Sequence, residues 1–181
     1  MQIQNYTYLF QINFMKHLTI FCIYTVLFTS CTIRFDRVPK NTLNQFPNEL
    51  CSKYFFKNTK DNDSTYLEIT QQTILFSENK SLRGGSLSDT IKIAKGKAYY
   101  YLCLGDTVKG KFVWDVYPLK RSGKKLYLFA LDADYYKKSI KKFFTPIPGL
   151  DDYFEMNETK LDKFCAKKLK SKNALKLEIV E

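Results

Sequence analysis

Histidine, the usual proton carrier of neutral-pH catalysis, occurs once in this chain of 181 residues, as His17. It lies in an apolar N-terminal stretch whose pattern marks it for removal. The remainder then has no histidine for a Ser-His-Asp or Cys-His arrangement, nor for a histidine-bearing metal site. Carboxylates are left as acid or base candidates. Glu68, Asp115 and Asp151-Asp152 stand in no recognisable catalytic setting, and the expectation is a protein that is not an enzyme and takes neither metal nor cofactor. Arg83-Gly84-Gly85-Ser86 offers backbone amides to an anion. It lacks the spacing and the lysine of a phosphate loop and reads as a flexible turn. Asp61-Asn62-Asp63 lacks the later glycine and glutamate of a calcium loop and reads as turn chemistry. Two constellations are left. Tyr99-Tyr100-Tyr101, with Phe112, Trp114 and Tyr117 further on, could line a ligand groove or simply pack across strands, as aromatics ordinarily do. Lys137, Lys138, Lys141 and Lys142, then Lys160, Lys163, Lys167 and Lys170, could meet an anionic surface. Equally, they could be the solvated side of helices lying on a sheet.

Location decides which partners such a lysine-rich chain can meet. Met1 to Phe14 carry no charge; Met15-Lys16-His17 come next, then the apolar run Leu18 to Phe28, then Thr29-Ser30-Cys31. A short positive region, an apolar run and small polar residues form the secretory pattern. Eleven residues rise about 16 Å as a helix against roughly 30 Å of hydrocarbon. Carried on to Ile33, the run reaches sixteen residues, still slightly short, and a signal anchor is the alternative. Because such signals begin with their positive charge, Met15 is the expected start and residues 1–14 are superfluous.

Leu27-Phe28-Thr29-Ser30-Cys31 resembles the lipobox of bacterial lipoprotein signal peptides, in which a small residue precedes a cysteine that is lipidated and becomes the new N-terminus. Thr29 and Ser30 match; Phe28 stands where leucine is usual, with Leu27 one position further back. The resemblance covers only the segment up to Cys31. It implies a signal peptide over residues 1–30, a lipid on Cys31 and attachment to a membrane. Thr32 after the cysteine, in place of aspartate, implies the outer membrane of a Gram-negative bacterium. An ordinary signal peptide followed by an unmodified cysteine is the alternative.

The chain carries 29 basic and 18 acidic residues; without Lys16 it keeps 28 against 18, or +10. At an extracytoplasmic address that charge does not point to nucleic acid. The expected partners are the membrane, through the anchor, and an anionic envelope component or a protein. Cys51, Cys103 and Cys165 are left beside Cys31, so one internal disulfide at most can form, and their spacing matches no metal motif.

These residues need elements to position them. Thr32 to Phe46 is irregular, and residues 31–46 read as a tether before a single domain over 47–181. Strands are predicted over Leu50–Lys57, Thr65–Thr70, Thr73–Phe76, Thr90–Ala94, Ala98–Leu104, Lys111–Tyr117, Lys125–Leu131 and Leu175–Val180, with turn residues between them. Along Lys111–Tyr117, Phe112, Trp114 and Val116 oppose Val113, Asp115 and Tyr117. Along Lys125–Leu131, Leu126, Leu128 and Ala130 oppose Tyr127, Phe129 and Leu131. Both faces are apolar and need cover. Helices from Asp132 or Asp134 to Phe144 and from Asn157 supply it. The expected fold is α+β and β-rich, an antiparallel meander sheet or partial barrel of about seven to nine strands covered by two C-terminal amphipathic helices. The expected role is a non-catalytic binding or interaction module of the envelope. Alternatives are a lipocalin-like barrel with an aromatic cleft and a small immunity or inhibitor protein.

Overall fold

The computed structural model describes residues 32–56, 65–78, 81–150 and 152–179. Two antiparallel meanders dominate it. The first comprises β3 (Ser52–Phe56), β4 (Thr65–Ile69), β5 (Thr73–Glu78) and β6 (Ser81–Ser86). The second comprises β7 (Ile91–Lys95), β8 (Tyr100–Val108), β9 (Lys111–Ser122) and β10 (Lys125–Leu128). The last strand, β12 (Leu175–Ile179), lies between β10 and β3 and joins the two into one sheet that curls into a half-barrel. A short strand β2 (Thr42–Leu43) borders β7, and β1 (Arg34–Phe35) lies between β9 and β11 (Tyr153–Phe154).

The fold is therefore β-rich and antiparallel, as the turn spacing indicates, but the sheet holds twelve strands among the described residues. The excess over the expected count comes from two-residue strands, too short to show any periodicity, and from β6. Arg83-Gly84-Gly85-Ser86 is not a loop: it forms most of β6, paired residue by residue with Thr73–Phe76. Gly84 has φ +124, and a methyl group there would collide with the carbonyl of Ile74. Glycine is what lets β6 lie this close to β5.

Alternation divides the core in two. Inside the curl lie Ile93, Leu102, Tyr117, Leu119, Leu126 and Leu177 with Tyr54, Leu67 and Ile69, plugged by Phe46 and Leu50. The opposite face carries Ala94, Tyr101, Cys103, Trp114, Val116 and Phe129, and the helices cover it. The first helix, α1 (Ala133–Ile140), is capped by the Asp132 side chain, which accepts from Tyr135 N at 2.8 Å. It stops at Ile140, short of the expected Phe144, and the chain continues as turns in which Phe143 N and Phe144 N both donate to Ile140 O. Phe143 and Phe144 instead turn inward onto Phe164. The second, α2 (Glu158–Lys168), is capped by Asn157 and buries Leu161, Phe164 and Cys165. Eight and eleven residues of helix cover only part of the face, less than expected. Ile33, Phe35 and β11 complete it.

Residues 32–46 are not a tether. Ile33, Phe35 and Phe46 are 0% exposed, and the segment contributes β1 and β2 to the sheet. Alternating buried and exposed residues in so short a run leave no readable period, which is why the sequence looks irregular there.

Candidate functional site

Cys31 and the recognition residues Leu27, Phe28, Thr29 and Ser30 lie outside the described residues. From Thr32 onward the chain is held firmly. Thr32 bridges to Asp132 at the cap of α1, and its hydroxyl donates to Asp115 Oδ1 at 2.7 Å. Two residues on, Arg34 Nε donates to the same oxygen at 3.1 Å, and Nη1 donates to the Tyr153 hydroxyl at 3.0 Å. The register produces this cluster: Arg34 faces Asp115 across β1 and β9, and Tyr153 across β1 and β11. Burial works against the Arg34 charge, but Asp115 and Tyr153 outweigh it and raise the guanidinium pKa. Asp115, which has no visible chemical context along the sequence, thus secures Thr32 and Arg34, at the beginning of the described residues.

Tyr101, Phe112 and Trp114 line neither of the two clefts described below, and Tyr99 borders the smaller one. Tyr99, Tyr101 and Trp114 sit in the helix-covered core at 9%, 1% and 8% exposure. Tyr99 packs edge-on against Phe129, and the Tyr101 hydroxyl donates to Asp162 Oδ1 at 2.7 Å. Burial first, then the nearby Cys165 and Asp162, push the Tyr101 phenol pKa up. Phe112 alone of the four is exposed, its ring edge-on to Trp114. Tyr100 points the other way and donates to Glu49, which holds that carboxyl below its usual range.

Asp162 organises a feature that the sequence pattern hides. Its Oδ1 also accepts from Lys97 N at 3.1 Å, clamping the β7–β8 turn under α2. At Gly96 any side chain would collide with Asp162 and with the Tyr101 ring, so glycine is required there for space. The one signal in the sequence is Gly96 between two lysines. Beside this clamp an open cleft of about 630 Å³ is lined by Asn41, Lys95, Lys97, Glu158 and Thr159, polar groups of both signs. A smaller one of about 240 Å³ lies beside Tyr99, Lys120, Tyr127 and Ser171.

The lysines lie on the outside of the helical layer. Lys138, Lys141, Lys142, Lys160, Lys163 and Lys167 are exposed, and Lys141 and Lys142 come after the end of α1 rather than continuing it. The side chain of Lys137 lies outside the described residues. The ion pairs among the described residues are Arg34–Asp115, Lys92–Asp89 and Lys125–Glu178, and none involves a helix lysine. Cys51, Cys103 and Cys165 are free thiols, the last two buried. Among the described residues no cluster of three or more metal-ligating side chains occurs, and no helix is long and apolar enough to cross a membrane. No protein family, curated protein or solved structure matches the chain.

Proposed function

We propose that the chain is a lipid-anchored extracytoplasmic envelope protein whose domain binds rather than catalyses, and that its partner is an anionic envelope component. One observation carries the reading. Both faces of the sheet are filled by side chains, whereas the outer side of the helical layer presents lysines without ion pairs among the described residues. A filled interior argues against a ligand-holding barrel, since such sites are concave and largely preformed. An excess of exposed positive charge argues for association by electrostatic attraction.

Attachment is tested first. The protein extracted from membranes is expected to begin at a lipid-bearing Cys31, read by intact mass. Cys31→Ser is expected to leave the membrane fraction or accumulate as an uncleaved precursor. An unmodified chain starting elsewhere overturns the reading.

A further inference from the structure

The fold gives a lipid on Cys31 no slack. A flexible tether over residues 31–46 would hold the domain roughly 20 Å from its anchor. Instead Thr32, the residue that follows Cys31 in the chain, is locked to Asp132 and Asp115. Asp132 caps α1, and one turn on is Tyr135, 66% exposed, whose hydroxyl accepts from Asn173 Nδ2 at 2.9 Å. Asn173 belongs to the short 3-10 turn Ser171–Asn173 that comes after α2. Thr32, the first described residue, is therefore joined to the first turn of α1, which Asn173 joins in turn to the segment beyond α2. Lys138, one turn beyond Tyr135 in α1, and Lys170 and Lys172, beyond the last turn of α2, are exposed. Two acids share this end: Asp132 is occupied in capping, and Asp134 is exposed. The other end of α2 carries both signs, with Glu158 accepting from Lys40 N and Asp162 from Lys97 N beside exposed Lys160.

We infer that the face formed by Tyr135, Lys138, Lys170 and Lys172 lies directly against anionic headgroups, so that the anchor fixes the orientation of the domain; this rests on the lipidation of Cys31. The lysines sit where charge attraction to headgroups acts. An exposed tyrosine with a hydrogen-bonded hydroxyl suits the boundary between lipid and water. The opposite end, including the mixed-charge cleft, then faces away from the membrane.

The test uses the mature protein purified from membranes and reconstituted in vesicles containing anionic lipid. Intact mass is measured first, then amine acylation rates lysine by lysine, before and after the vesicles are dissolved in neutral detergent. Lys138, Lys170 and Lys172 are expected to react several-fold more slowly on vesicles, while Lys40, Lys97 and Lys160 keep their rates. A lipid-bearing mass with uniform rates, or with protection at the far end, overturns the orientation alone. A mass without lipid overturns the anchoring reading and the orientation with it.

Discussion

Cys103 and Cys165 lie in the helix-covered core, and burial pushes both thiols up to about 12; at Cys165 it does so against a Tyr101 hydrogen bond that lowers the value. Since the thiolate is the reactive species, neither should react in the folded protein at neutral pH. Cys51 is half-buried and also raised, less strongly. Alkylation of the native protein is expected to modify Cys51 slowly and the other two only on unfolding; a fast reaction at Cys103 or Cys165 contradicts the packing. Because their folded pKa values exceed the ordinary value of 9.0, the stability these thiols contribute is intact below about 9 and is lost as pH rises toward about 12. Thermal midpoints should fall through that window. The Asp162 clamp makes a second prediction at this scale. Asp162→Ala strips the partner from the nearly buried Tyr101 hydroxyl and from Lys97 N, and should cost about 1–3 kcal/mol in denaturant unfolding. Tyr101→Phe in that background should recover part of the loss; no loss in the first variant would show that water replaces the clamp.

At the scale of elements, what was legible in the sequence is what has a period. The alternating runs gave β9 and β10 their faces, turn residues placed the other long strands, and the cap residues Asp132 or Asp134 and Asn157 marked the helix starts, because caps and alternation are local. The elements that went unread depend on distant partners. Arg83-Gly84-Gly85-Ser86 becomes a strand because Gly84 tolerates the approach of Ile74, which no local pattern reports. Residues 32–46 join the sheet through single buried side chains, Ile33, Phe35 and Phe46, whose environment is supplied by strands and helices far along the chain. Burying each of these three is worth about 1.5–3 kcal/mol, and a domain has only about 5–15 kcal/mol in all. A chain starting at Pro47 should therefore be unfolded or close to it, whereas one starting at Thr32 should melt cooperatively. Circular dichroism during heating separates them, and equal midpoints would return the segment to the status of a tether.

For the whole molecule, the candidate site was legible only in part, because surface charge is visible in a sequence while its distribution in space is not. The lysine periodicity identified an outer helical face. It could not show that α1, which carries Lys138, meets the segment of Lys170 and Lys172 through Tyr135 and Asn173, or that Tyr101 and Trp114 are buried; both depend on α1 and α2 packing together through Tyr136 and Phe164. The arrangement makes charge position, not total charge, the quantity to test. Three lysines near an anionic surface contribute about 3 kcal/mol, roughly a hundredfold in partitioning. Lys160 and the Lys97–Asp162 contact are separated from the last residue of α2 by roughly 9–12 Å of helix, beyond a Debye length of about 8 Å at physiological salt. The unanchored protein starting at Thr32 should thus bind anionic vesicles at low salt, release them at moderate salt and ignore neutral vesicles. Lys138→Gln, Lys170→Gln and Lys172→Gln together should remove most of that binding. Lys40→Gln, Lys97→Gln and Lys160→Gln remove the same charge from the far end and should leave it nearly intact. Co-sedimentation across a salt series, with circular dichroism to verify both triple variants as folded, measures the difference. Equal losses in the two variants would mean that the domain responds to net charge alone, and binding to neutral vesicles as strong as to anionic ones would remove electrostatics from the account.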